Sequence, residues 1–442
     1  MKHVLKQAKQ PLCFINSAMP LSFKLPTTAS LAFENFLSSD THPSLPSSAS
    51  STRHSLRFTL KKHKRISDTA KPSHLPQVLS TLNAYIPYLL ALDDGLSGTP
   101  VADEEVNILL AKEVETEWRS VLSNAPIGRP VEPPRVKLKS LEYEILFTLS
   151  TLATIHFLSA RETLHVLFVT HTTPPSPEAR TAAITAAVKS LLTAHSIHTY
   201  LAHRSSNAPV TTPPPCPDVS SSTFSALASL DLAEATLVTV VKDDPYVAAV
   251  AQERNKQDNE WMYKAPTISP VRALLFARLC VAASEHAARA LGLLSSVQGI
   301  SQSLIRYLED LRGTARAKAC RFLGVDAEMS GDVAKGIAWL RAAKRELGFP
   351  EGDEEANRKK KFGSGLRELK KEWQEKREDK RVTKGAGDQL WGGDAGKFEE
   401  GRVVEGLCGK WERLNDVVSF NLPFSCHSFC PAARSLPPLY PP

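Results

Sequence analysis

The side chains best suited to chemistry in this chain are few and scattered. Cys426, His427 and Cys430 place three metal-ligand types within five residues. A closed zinc site needs four ligands, and no second pair stands nearby, so no metal is expected. His156 and His165 lie nine residues apart on one side of an apolar run. No Asp or Ser pattern makes them a catalytic pair, and they read as buried, hydrogen-bonded histidines. The seven cysteines show no framework spacing. Cys280 and Cys320 fall inside helical patterns and are expected as buried thiols, which suits a reducing compartment. The chain has no glycine-rich phosphate loop, nucleophile elbow or paired metal spacing. These residues predict no catalysis and no cofactor.

Two segments point to binding rather than chemistry. Pro437-Pro438-Leu439-Tyr440 has the P-P-x-Y form that WW domains take in extended conformation, although such a tetrapeptide also arises by chance. Residues 357–384 hold twelve Lys/Arg against five Asp/Glu, a surplus of seven that equals the net charge of the 442-residue chain. This basic helix, with Lys359, Lys360, Lys361, Lys370 and Lys371, reads either as a solvated surface or as a contact for acidic lipid or an acidic partner. Nucleic-acid binding would want aromatics interleaved with the cations, and only Phe362 and Trp373 are present. A nucleic-acid-binding helical protein is therefore the alternative from another class.

The elements that must carry such surfaces are helical. Hydrophobic residues make up 42% of the chain, enough for a sizeable core, and no run reaches the roughly 18 apolar residues of a membrane span. Gly331–Leu347 is the best-formed pattern: Val333, Ile337, Leu340 and Leu347 share a face, and Lys344 and Arg345 sit in the last turn. Asp332 suits the start, and Gly348 followed by Pro350 is a stop signal. Helices are also predicted near 53–65, 73–92, 102–123, 141–169, 178–195, 220–241, 244–258, 271–294 and 303–323, with a final one near 411–418. Asp244-Pro245 and Ser269-Pro270 read as N-cap plus first helical position. Leu21, Phe23 and Leu25 alternate like a short strand, and 38–52, 126–134 and 209–217 read as loops. The pattern predicts nine or ten helices stacked in pairs, with almost no strand.

Several of these stretches resemble a known family. S-L-E-Y-E-I-L-F at 140–147 is similar to the opening of the long central helix of Bro domains, the helical domains of Alix and its fungal relatives. L-A-E-A-T-L-V-T-V-V-K-D-D at 232–244, the helix 271–294 and G-I-A-W-L-R-A-A at 336–343 follow in the family's order. Residues 25–33, 39–46, 82–89, 314–327 and 338–347 resemble the fungal pH-response branch of the family. The resemblance covers roughly 19–418, with a core at 53–350, the basic helix 358–384 and the final helix 411–418. Residues 1–18 and 419–442 lie outside it and are expected to be disordered.

The resemblance implies an all-α, boomerang-shaped Bro domain with a tetratricopeptide-like helical core and a short N-terminal β element. It implies a non-catalytic adaptor that holds the C-terminal amphipathic helix of an ESCRT-III filament subunit in a hydrophobic groove. It further implies a link to a pH-sensor, arrestin-like complex at the plasma membrane, with proteolytic activation of a zinc-finger transcription factor as output. The protein is then cytoplasmic, recruited to the plasma membrane or endosome periphery and peripheral at most. Val238, Val247 and Val250 are the groove residues that the resemblance carries over, and each also reads as an ordinary core valine. A general Alix-like endosomal-sorting adaptor is the alternative within binding modules. It would need a coiled-coil arm and a proline-rich tail, for which this chain leaves no length.

Overall fold

The computed structural model describes residues 20–101, 103–124, 135–168, 176–207, 214–246, 268–349 and 393–419. Within them, nine α-helices carry the architecture. They are α1 (Leu45–Arg65), α2 (Lys71–Ser97), α3 (Leu141–Phe168), α4 (Pro177–Asn207), α5 (Ser221–Lys242), α6 (Pro270–Leu294), α7 (Gln302–Met329), α8 (Val333–Glu346) and α9 (Lys397–Ser419). Each helix packs against the next in sequence, so the body is a serial stack of antiparallel helices, as the spacing predicted. Four short strands form two antiparallel pairs. β1 (Leu37–Ser38) pairs with β2 (Leu109–Leu110), and β3 (Glu115–Arg119) pairs with β4 (Arg135–Lys139).

The helix expected over 102–123 is absent; that stretch carries β2 and β3 instead. Val106, Leu110 and Val114 do fit a helical stripe. A competing period of two wins: Val114, Thr116 and Trp118 are buried while Glu115 is exposed and Glu117 half-buried. The short strand expected at 21–25 is also absent. Leu21, Phe23 and Leu25 keep their alternation but find no partner strand, and Phe23 instead packs edge-on against Phe157. The loop expected over 38–52 is helical from Leu45. Pro46 sits in the first turn, where its missing N–H costs nothing, and Ser50 and Thr52 hydroxyls donate back to carbonyls one turn earlier. α4 and α9 run well beyond the predicted 178–195 and 411–418. α8 agrees closely with prediction: the Asp332 carboxylate caps it by accepting from Lys335 N at 2.9 Å, and Gly348 follows in the left-handed conformation. The expectations for 1–18, 126–134, 247–258, 358–384 and 420–442 fall outside the described residues.

α3 and α5 are long and apolar enough to cross a membrane, contrary to the sequence reading. Their most apolar windows are 72% and 78% buried inside the protein, which makes them central core helices here. Both helices, with α4, run through two hydrophobic cores. One lies among α1, α2, β3, β4 and the first half of α3, around Leu56, Tyr85, Trp118 and Ile145. The other lies among the rest of α3 and α4 to α9, around Phe157, Leu237, Cys280, Phe322 and Trp411. In the second, α7 and α8 cross at Gly324 and Gly336. A Cβ at Gly336 would meet the Gly324 carbonyl oxygen at 3.2 Å and the Trp411 ring at 3.3 Å, so small residues set this crossing.

Each core contains a buried charge that ties distant segments together. In the first, the Glu144 carboxylate of α3 accepts from Arg53 Nε (2.7 Å) of α1, Tyr85 Oη (3.0 Å) of α2, and Thr116 Oγ1 (2.5 Å) and Trp118 Nε1 (2.7 Å) of β3. Arg53 also donates to the Ala29 carbonyl (2.8 Å) and to Thr28 Oγ1 (2.6 Å), which brings in the N-terminal segment. Desolvation works against the charge on Glu144, but Arg53 and the other donors more than offset it and hold its pKa below the ordinary value. In the second core, Arg321 of α7 pairs with Asp244 (2.5 Å) and with Glu400 of α9 (2.6 Å), and Lys318 joins Glu400 at 2.6 Å.

Removing one side of a buried pair strands the other in a medium that cannot solvate it. Glu144→Leu should therefore lower unfolding free energy in urea by about 3–5 kcal/mol, and Arg53→Met/Glu144→Leu should recover most of it. A loss below about 1 kcal/mol for Glu144→Leu would show that the network does not organise this core.

Candidate partner-binding surface

α5 is the element on which the sequence placed the first groove residue. Its apolar residues fill both cores. Leu227, Leu230, Leu237, Val238, Val240 and Val241 are buried, and Phe224 reaches the first core. Inward polar contacts lock its rotation. Asp231 meets His198 Nδ1 of α4 at 2.7 Å, and Glu234 Oε1 accepts from the Tyr307 hydroxyl of α7. Just past its end, Asp244 is held by Arg321 and its Oδ1 also accepts from Tyr246 N at 3.1 Å. That last contact matches the predicted cap, and the helix it opens is described at Pro245 and Tyr246 only.

These contacts settle which side of α5 is free. Val238 is 1% exposed and belongs to the core. Thr239 and Lys242 are exposed, and Leu232 and Thr236 are half-buried. Spaced four, three and three, Leu232, Thr236, Thr239 and Lys242 form a single outward stripe. The family resemblance carried the groove to Val238, and the other reading of that residue, an ordinary core valine, is the one its burial supports. Threonine, whose methyl offers apolar surface and whose hydroxyl can bond back to the helix, carried no such signal. Thr236 and Thr239 do bond back, to Leu232 O (2.7 Å) and Ala235 O (2.9 Å). Val247, Val250, Lys359, Lys360, Lys361, Lys370 and Lys371 lie outside the described residues.

The buried acids behind the stripe are electrostatically distinct. Glu234 is fully buried, its Oε2 has no hydrogen-bond partner among the described residues, and desolvation pushes its pKa up to about 7. Asp231 is raised by desolvation, against the pull of His198. Arg321 keeps its charge: desolvation opposes it, and Asp244 and Glu400 outweigh that cost. Among the described residues no group of three or more His, Cys, Asp and Glu could hold a metal. Burial pushes the Cys280 and Cys320 thiols up to about 12, although Cys320 is only partly buried rather than fully so. His156 and His165 are half-buried rather than fully buried, and desolvation lowers the pKa of His156.

Comparison with known proteins gives this architecture a family. No family model matches the chain. It is 43% identical over 452 residues to the pH-response regulator protein palC of Emericella nidulans, covering 96% of this chain and 89% of that protein. The chain belongs to the palC family of pH-response regulators. Among solved structures, its fold is similar to the ALIX Bro1 domain solved in complex with CHMP4C (TM-score 0.52, 14% identity, 95% of this chain and 94% of that one). It is equally similar to ALIX in complex with the SIVmac239 late domain (TM-score 0.53, 12% identity, 94% of this chain and 47% of that one). At those identities the likeness establishes the Bro domain fold. Within the palC family, then, α5 is a Bro-type core helix that presents the stripe from Leu232 to Lys242.

Two outcomes follow. Val238→Asp should abolish cooperative thermal unfolding, since it puts a carboxylate into a dry core, whereas Thr239→Asp should leave the melting curve close to wild type. Glu234 keeps its proton in the folded state at pH values where the unfolded chain has lost it. Its contribution is therefore full below the ordinary carboxyl range and is lost as pH rises towards about 7. Glu234→Gln should remove a fall in stability on the order of 3 kcal/mol between those limits, read from urea midpoints across pH. An unchanged pH profile would show that Glu234 holds its proton no more tightly in the fold than in the unfolded chain.

Proposed function

We propose that this chain is a non-catalytic adaptor of alkaline-pH signalling that grips the C-terminal amphipathic helix of an ESCRT-III filament subunit. The observation that carries this reading is membership of the palC family on a Bro domain fold, whose ALIX representative has been solved with CHMP4C. The physical case is a helix-in-groove contact: such a contact needs apolar surface on a wall that does not yield. α5 is suited to be that wall, because Asp231, Glu234 and the neighbouring Asp244 are held from behind by α4 and α7. Leu232, Thr236 and Thr239 would offer the apolar surface, with the segment carrying Val247 and Val250 as the second wall. In this reading Val238 supports the groove from the core.

The adaptor would join the filament subunit to the pH-sensor, arrestin-like complex at the plasma membrane and so promote proteolytic activation of a zinc-finger transcription factor. It would work from the cytoplasm, recruited to the plasma membrane or endosome periphery.

The test is titration of the full chain with a fluorescent peptide of the filament subunit's C-terminal helix. Saturable binding is expected. Thr239→Asp and Val250→Asp should each weaken it about tenfold or more while circular dichroism stays unchanged, since a charge is forced into a desolvated contact. Absence of detectable binding by the wild-type chain would sink the proposal.

A further inference from the structure

The near-neutral charge of the chain outside 357–384 conceals a strong local imbalance. α1 contains no Asp or Glu in its 21 residues. It carries Arg53, Arg57, Lys61, Lys62, Lys64 and Arg65, of which Arg53 is committed to Glu144 in the core. His54, Arg57, Phe58, Lys61, Lys62 and Arg65 recur at spacings of three and four and share the side turned away from that core. β4 extends the surface with Arg135. Burial lowers the pKa of Lys61, and the guanidiniums of Arg57, Arg135 and Arg65 lower it further, so these cations sit close enough to repel one another.

Two further features mark this face as unfinished. Arg57 Nε and Arg135 Nε are buried atoms without an acceptor, and none of Arg57, Lys61, Lys62, Arg65 or Arg135 pairs with a carboxylate among the described residues. The neighbouring β3 acids are turned to other lysines, Glu117 to Lys137 and Glu115 to Lys139. In the middle of the cations stands Phe58, 65% exposed, the most exposed large apolar side chain of the first core's elements. A solvated basic helix has no use for a phenyl ring, and a guanidinium edge shielded from water asks for an anion with several acceptor oxygens.

The geometry points to docking of this α1–β4 face on an anionic phospholipid surface, with Phe58 entering the headgroup layer and Arg57, Lys61, Lys62, Arg65 and Arg135 meeting lipid phosphates. A bilayer fits better than an acidic protein segment. The face is the convex side of one helix, with its aromatic residue standing outward, which suits insertion into a soft interface rather than capture of a strand or helix. The surface belongs to the first core, whereas the proposed groove lies on α5 in the second, so the two contacts are separable.

The experiment is co-sedimentation of the full chain with vesicles of phosphatidylcholine alone or mixed with phosphatidylserine. The chain should sediment with the mixed vesicles only, and less so as NaCl is raised. Lys61→Glu/Lys62→Glu/Arg65→Glu should weaken this about tenfold or more, and Phe58→Ala about threefold, with melting temperatures close to wild type because Phe58, Lys62 and Arg65 are exposed and Lys61 is only half-buried. The proposal is overturned if wild type ignores the mixed vesicles. It is equally overturned if the triple variant still sediments as wild type does, which would place the lipid contact elsewhere, such as in 358–384. Binding of soluble polyglutamate through Lys61, Lys62 and Arg65 without vesicle binding would assign the face to an acidic protein and also overturn it. Peptide titration of the triple variant keeps this result distinct from the filament-helix reading, since that binding should be unaffected.

Discussion

One carboxylate organises the N-terminal half of this protein. Glu144 accepts five hydrogen bonds from four side chains, and those side chains come from α1, α2 and β3. Its partner Arg53 then reaches the chain at Thr28 and Ala29. A buried charge is tolerable only when its lone pairs are used, and each donor can sit in only one place if it is to serve. That constraint sets the register of β3, the rotation of α1 and the start of α3 together. Packing alone would tolerate many arrangements of the leucines and valines around it. Arg321 plays the corresponding part in the second core, where it holds the segment after α5 and the C-terminal α9 to α7.

The two anchors explain how this stack of helices comes to have a defined surface. α3, α4 and α5 pass through both cores, so the halves share their central helices rather than meeting at a seam. α5 is held from behind by α4 and α7, and its outward stripe is therefore a stationary feature. α1 is held in the same way by Arg53, which leaves its other cations facing outward. Both proposed contacts thus use the outer side of a helix whose inner side is locked by buried polar bonds.

Much of the fold was legible in the residues. α3, α5, α6 and α8 were placed to within a few positions because their apolar periods are long and their ends carry strong signals, such as Asp332, Gly348 and Ser269-Pro270, whereas α7 runs on to Met329 past its expected end at 323. The family was legible too, from short stretches in a consistent order. The failure at 102–123 has a clear cause: five-residue strands give little periodicity, and acidic residues at 103–105 imitate a helix start. The Ser-rich beginning of α1 was read as loop because serine favours turns locally, and only packing of Ala49 and Leu56 in the first core overrides that preference. At the candidate site, the helix was found and the face was not, since a helix hydrophobic nearly all round does not declare its free side.

What the sequence determined by itself is therefore the class, the order of helices and the family, all of which rest on local pattern and on residues near in the chain. Tertiary structure alone decided which charged residues are buried, which side of α5 is open and which cations of α1 lack partners. Those answers depend on contacts between residues far apart, such as Arg53 with Glu144 at a separation of 91 and Arg321 with Glu400 at 79. A Glu at the head of an apolar run and an Arg in a serine-rich one look unrelated on paper. They become one interaction only when the helices that carry them are packed, because only then is water removed and each charge left to find the other.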